Sequence, residues 1–271
     1  MSAGFAQINH DLSYWQKQVK PLFPDLAWNI PEQKFGRVSV VGGNAQSFSS
    51  VVRTAEFLAH NFPIKQVHTW LPETLRPKLP AAENLNFANA TVSGTFAKSY
   101  SLDEAFASSD AALLAGDLSR NAETAIALTD AIIKSESLLM IARDAVDLLA
   151  PSMAQILSRP HTFIIGSMAQ LQKVFRAVYY PRMIMLTQPL VPLLETLHKF
   201  TLSYPVTLLT FHQEQIIVAH DGKVSTTKIA ETNYIPLSLW SGQLAARALA
   251  LNLFNPSKPY EATTAAILLD Q

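Results

Sequence analysis

The sequence predicts a three-layer α/β fold: a mainly parallel central sheet with helices on both faces and a β-hairpin added late. Two patterns and the composition predict it. Short apolar runs lie at 38–41, 110–117, 138–142 and 162–167; three of them stop at a glycine-containing turn, the third in order runs into Arg143-Asp144, and most lead into a segment of helical spacing. Two alternating runs, 215–220 and 223–228, flank Asp221-Gly222, the signature of a tight hairpin. Apolar residues make up 49% of the 271-residue chain and charged ones only 15%, enough for a large core. A single domain over 1–271 is expected, with 1–30 supplying an N-terminal helix and connector.

The elements follow in order. Residues 9–22 read as a short helix, with Leu12, Trp15, Val19 and Leu22 on one side, and 24–31 as a connector. Val38 to Val41 form a buried strand that ends at Gly42-Gly43-Asn44, before a helix carrying Val51, Val52, Ala55 and Leu58 at three- and four-residue spacing. Residues 66–71 and 85–91 are strand-like, with a proline-rich loop between them. Ser101 and Glu104 have capping-box spacing at the start of a short helix. The run 110–117 repeats the opening design, followed by a helix over 122–134 and a strand over 138–142 that runs into Arg143-Asp144. The strand at 162–167 leads to a helix over 168–178, and a helix over 189–202 to a strand over 206–210. After the hairpin come helices over about 237–253 and 261–269, separated by Pro256 and Pro259.

Composition excludes several classes. Net charge is zero and there is no basic tract, so neither nucleic-acid nor anionic-membrane binding has electrostatic support. With no cysteine, disulfides, thiolate metal sites and a cysteine nucleophile are ruled out. The N-terminus lacks signal-peptide character, and Arg247 interrupts the most apolar stretch, 237–254, so a soluble cytoplasmic protein is expected. The seven histidines show no metal-ligand spacing, so no metal site is expected.

These elements and their ends resemble the ribokinase-like superfamily, and within it the ADP- or ATP-dependent NAD(P)H-hydrate dehydratase family. The resemblance covers about residues 30–271. Residues 34–44 are similar to that family's opening KG-x-FGRVLVIGGS, 110–120 sit at its DALVIGPGLGR, 139–146 at its VLDADAL and 165–175 at its TPHPGEFARL. The resemblance implies a ribokinase-like α/β/α sandwich, commonly homo-oligomeric. It further implies ADP or ATP with magnesium and an NADH- or NADPH-like ligand, and elimination of water from the hydrated dinucleotide coupled to nucleotide hydrolysis. Carried onto this chain, the cofactor-contacting positions are Gly42, Gly43, Asn44, Gly116, His212, Ser241 and Gly242.

The departures fall on the chemistry. Where the family has a GTGD turn whose Asp is the acid/base group, this chain has Trp240-Ser241-Gly242-Gln243, and no Asp or Glu occurs from 232 to 259. An amide does not titrate near neutral pH, and loss of a general acid/base group costs about 10²–10⁴ in rate. The PGLG turn has become Gly116-Asp117-Leu118-Ser119, the LKG lysine and glycine align with Phe211 and His212, and TPH-x-x-E has become Gly166-Ser167-Met168-Ala169-Gln170.

Each signal has a plainer reading. The Gly42-Gly43-Asn44 turn either contacts a phosphate or only lets helix pack on sheet. Asp117 is either a functional carboxylate or a helix cap, and Arg143-Asp144 either an anion site or a local ion pair. Ser47, Ser49 and Ser50 lack a nucleophile elbow and read as caps. The patch 179–185 reads as core or subunit contact, or as a partner surface. Four functional readings follow: a dehydratase-like protein that keeps a nucleotide cleft but has lost its catalytic Asp; an active hydro-lyase with Asp117 or Asp144 as relocated base; a non-catalytic oligomeric interaction protein; and a small-molecule kinase.

Overall fold

The computed structural model describes residues 12–17, 29–232, 235 and 238–267. Ten strands form one sheet in the order β1-β10-β9-β8-β7-β6-β5-β2-β3-β4. In chain order they are β1 (Trp15–Lys17), β2 (Phe35–Gly42), β3 (Ile64–Pro72), β4 (Leu85–Ala88), β5 (Ala111–Gly116), β6 (Leu138–Ala142), β7 (Thr162–Ile165), β8 (Val206–His212), β9 (Gln215–His220) and β10 (Lys223–Lys228). Pairing is parallel throughout except at β9, which runs antiparallel to both β8 and β10. The expected parallel sheet and late hairpin are both present.

Side-chain alternation splits the core in two. One face of the sheet is covered by α2 (Tyr100–Ala107), α3 (Ala122–Lys134), α4 (Asp144–Leu149), α5 (Met153–Ile156), α6 (Met168–Ala177) and α7 (Leu190–Ser203). The other carries α1 (Ser49–Asn61), α8 (Gln243–Phe254) and α9 (Pro259–Ala265). Neighbours on β5 show the principle: Leu113 faces the second layer and Leu114 the first, both fully buried. Strands covered on both faces read as continuous apolar runs, which is why β5 and β6 were visible as such. Residues Leu244 to Leu253 of α8 are all buried, because that helix lies between the sheet, α1 and α9. It is a core helix buried on all sides, apolar except at Arg247 and Asn252. Among the described residues no helix is long and apolar enough to cross a membrane.

Three expectations are corrected. Trp15–Lys17 is not helical; it is an edge strand parallel to Val224–Thr226, and the Trp15 indole donates to Thr226 Oγ1 at 3.0 Å. Pairing with a sheet edge outweighs a weak helical spacing there, and Val19 and Leu22 lie outside the described residues. The cap of α2 is Ser99, whose hydroxyl accepts from Leu102 N at 3.2 Å, two residues before the expected Ser101. Finally, α8 begins at Gln243, after a separate 3₁₀ turn at Ser238–Trp240.

Candidate functional site

The C-terminal ends of β2, β5, β6 and β7 meet at one edge, where ligands of open α/β sheets bind. Its organising residue is Arg143, which follows β6 directly. The Arg143 guanidinium donates to the Ala115 carbonyl and to Asp117 Oδ1, each at 3.0 Å, and to the Ser50 hydroxyl. Ser50 in turn donates to Asp117 Oδ2. The Arg143–Asp117 pair is largely buried. Asp144, next along, accepts from the backbone N–H groups of Asp117 at 2.7 Å and Leu118 at 2.9 Å.

This geometry revises several sequence readings. Asp117 does not cap the following helix; Asn121 does, accepting from Glu123 N and Thr124 N. Arg143 pairs with Asp117 rather than with Asp144. Ser50 joins the network instead of capping α1, which starts from Phe48 with no side-chain cap. The two carboxylates proposed as relocated bases thus sit together, but each is committed. Asp144 braces a turn, and Asp117 neutralises an arginine.

The glycine turns close on one another. Gly43 N donates to the Gly116 carbonyl at 3.0 Å. The Asn44 amide donates to the Asp117 carbonyl at 2.7 Å, and its oxygen accepts from Gln46 N and Ser47 N. A Cβ on Gly42 would lie 2.5 Å from the Gly116 oxygen. Close backbone approach therefore explains these glycines, and the N–H groups of the two turns from Gly43 to Ser47 and at Asp117 and Leu118 already have acceptors within the protein. Asp117, Ser119 and Arg143 all have positive φ (56°, 56° and 57°), a clustering of backbone strain at a single edge.

An open cleft of about 490 Å³ lies beside this network, lined by Arg143, Asp147, Gln170, Lys173 and Trp240 among others. Gln170 closes a capping box with Ser167 at the start of α6, and its amide nitrogen donates to the Arg143 carbonyl at 2.7 Å and to Asp147 Oδ2 at 2.8 Å. Lys173, one turn on, pairs with Asp147 Oδ1. Partial burial works to raise the Asp147 pKa. Hydrogen bonds from Lys173 and Gln170, with the charges of Lys173 and Arg120, outweigh it and hold the carboxyl below its ordinary value.

Gln243 is exposed at the first turn of α8, a helix with no side-chain cap and no acidic residue in that turn. Gly242 precedes it at φ 95° and packs against Thr54 of α1, and Ser241 is exposed. His212 is buried, and its Nε2 donates to the Gln188 carbonyl at 2.7 Å, so it anchors a loop. Phe211 packs against the second core. Sequence reasoning had not singled out Asp147 and Lys173. Spacing offered a signal: Asp144 and Asp147 are three apart on α4, as are Gln170 and Lys173 on α6. Among the described residues no group of three His, Asp or Glu side chains converges on a point. With Asp117, Asp144 and Asp147 each engaged, the donor set does not fit a magnesium ion held by protein side chains.

No protein-family model and no curated protein matches the chain. Solved structures do. A ribokinase-like superfamily protein from Enterococcus faecalis V583 aligns with a TM-score of 0.66 over 98% of this chain and 87% of its own, at 13% identity. The ADP/ATP-dependent NAD(P)H-hydrate dehydratase from Bacillus subtilis, co-crystallised with ATP and Mg²⁺ and soaked with CoA, aligns at 0.58 over 90% and 84%, with 11% identity. Pyridoxal kinase from the same organism, in an ADP complex, aligns at 0.52 over 86% and 89%, with 10% identity. At such identities the likeness is one of fold, and the fold is ribokinase-like.

Proposed function

We propose that the protein binds a nucleotide-type small molecule in the cleft between Arg143, Lys173 and Trp240, and that it does not catalyse NAD(P)H-hydrate dehydration. The carrying observation is the state of the carboxylates at the strand edge. Asp117 is held by Arg143 and Ser50, Asp144 by two backbone N–H groups and Asp147 by Lys173 and Gln170. A general base must reach the proton it takes, and each of these would first have to leave a structural partner. At the position of the family's catalytic Asp stands Gln243, an amide.

Binding rests on different groups. Arg143 and Lys173 line the cleft beside Asp144 and Asp147, and both are already paired, so an anion binds there by taking a share of the partners that now serve Asp117 and Asp147. Trp240 supplies a flat apolar face for a base or nicotinamide ring. The glycine turns are closed, so phosphate recognition falls to these side chains. Solved ribokinase-like neighbours carry ADP or ATP, which favours a nucleotide over other anions.

A thermal-shift panel with ADP, ATP, AMP, NADH, NADPH and hydrated NADPH, with and without magnesium, tests the first half. At about 100 times its Kd a ligand stabilises the fold by about 2.7 kcal/mol, a readily visible shift. At least one adenine nucleotide is expected to shift the melting curve, and Lys173→Ala to reduce that shift. No shift with any of them refutes nucleotide binding and leaves an interaction protein as the reading. Consumption of hydrated NADPH by the purified protein refutes the second half. Loss of that turnover in both Asp117→Asn and Asp144→Asn, with folding retained, would establish a relocated carboxylate.

A further inference from the structure

Residues 178–189 join α6 to α7, and of the readings of this patch the structure sets aside only the core: most of its large apolar side chains are exposed. Four of the eight side chains from Tyr179 to Leu186 are large, apolar and exposed: Tyr179 (93%), Met183 (74%), Met185 and Leu186. Tyr179 is at φ 52°, a left-handed conformation that strains a non-glycine residue, and its ring is 93% exposed. The loop is nevertheless braced. The Gln172 amide donates to the Ile184 carbonyl, Gln188 Oε1 accepts from Met185 N at 3.2 Å, and His212 holds the Gln188 carbonyl.

Between loop and helix lies a cavity of about 270 Å³. Its wall is mostly apolar, with Phe175 and Ile184 at the bottom of the contact and Tyr180 packed edge-on to Phe175 at 5.2 Å. Two cations stand at its rim. Arg182 shares Glu195 with Lys199, at 3.1 and 2.6 Å, and the hydrogen bond from Lys199 is the main force holding the Glu195 carboxyl below its ordinary value. Arg176 has no carboxylate partner among the described residues. Of the two cations lining the cavity, Arg182 is paired with Glu195, which leaves Arg176 as the one whose charge no carboxylate of the described residues answers. Small-molecule sites have this character, an apolar wall with a few polar groups that fix orientation.

We infer that this cavity is a second binding site, separate from the strand-edge cleft, for a small amphiphilic carboxylate whose aryl or branched acyl body enters beside Phe175 and Ile184 and whose carboxylate meets Arg176 and Arg182. The uncompensated positive charge selects the anionic head, and the flexible thioether of Met183 closes over the body. A space of about 270 Å³ lined by Phe175, Ile184 and Tyr180 suits the body of a compact acid, and it opens to solvent on the side of Arg176 and Arg182.

The test is calorimetric titration of the full chain with 4-phenylbutyrate and, as the uncharged control, 4-phenyl-1-butanol. The acid is expected to bind at least tenfold more tightly than the alcohol. Arg176→Glu should abolish that preference without changing the melting temperature appreciably, and saturating ADP should leave it intact. Tyr179→Gly, which relieves the left-handed tyrosine, should melt higher and bind the acid more weakly. Absence of binding by the acid, equal binding of acid and alcohol, or an unchanged preference in Arg176→Glu each overturns the proposal. A concentration-dependent dimer in sedimentation that Met183→Glu dissolves would also overturn it, assigning the patch to a second copy of the chain. Because nucleotide binding is read at Lys173 and acid binding at Arg176, either proposal can fail alone.

Discussion

Asp144 is the residue on which the strand edge turns. Its carboxylate satisfies two backbone N–H groups that the sharp exit from β5 leaves without strand partners, at 2.7 and 2.9 Å. Removing an ionic acceptor from such donors strands both, so Asp144→Ala is expected to destabilise the protein by about 2–4 kcal/mol in urea unfolding, whatever it does to ligand binding. Gly116 is coupled to it. Its φ is 88°, and a Cβ there would lie only 2.5 Å from Asp144 Oδ1, so Gly116→Ala should cost more than ~1 kcal/mol by the same measurement. Neither dependence was readable in the chain. The sequence placed Gly116, Asp117 and Asp144 at strand ends, but which of them meet is fixed by β5 and β6 lying side by side.

At the scale of elements, local pattern was a good guide where the partner was also local. The helix over 122–134, the strand over 138–142 and both arms of the hairpin have the bounds the spacing predicted, because apolar periodicity and an Asp-Gly turn are properties of neighbouring residues. The segment containing β1 was misread because its partner, β10, lies some two hundred residues away. Trp15→Phe keeps an aromatic side chain but loses the Thr226 hydrogen bond and the indole's second ring, and the hydrogen bond alone is expected to cost about 0.5–1.5 kcal/mol in chemical unfolding. Helix α8 offers a converse case. Its first turn has no acidic residue to complement the helix dipole, so Gln243→Asp should raise stability by about 0.3–1 kcal/mol at low salt. An unchanged or lower melting temperature would mean that this terminus already faces a compensating charge.

For the whole molecule, pH exposes which titrating groups the fold has committed. Burial pushes the His220 pKa down from 6.5, against the opposing charges of Asp221 and Glu261, and its ring bonds Thr207 Oγ1 at 2.9 Å. A lowered folded pKa means that the unfolded chain binds the proton more readily. The His220 contribution is therefore fully present above about pH 6.5 and is lost as pH falls through the lower folded value. Asp147 acts in the same sense further down, from its ordinary value of 3.8. Melting temperature should fall in two stages on acidification, and His220→Gln should remove the first; a flat profile between pH 7 and 5 in the parent protein would contradict this. By itself the sequence determined the α/β class, the parallel core strands, the hairpin and the absence of a carboxylate at Gln243, because each depends on residue type or on spacing within a few positions. Only the tertiary structure decided that Arg143 serves Asp117, that the glycine turns close on each other, that His212 pins a loop and that Lys173 joins the cleft. Those contacts are made between strands, helices and loops that are neighbours in the fold but distant in the chain, and spacing along a chain carries no information about which distant side chains the sheet order will bring together.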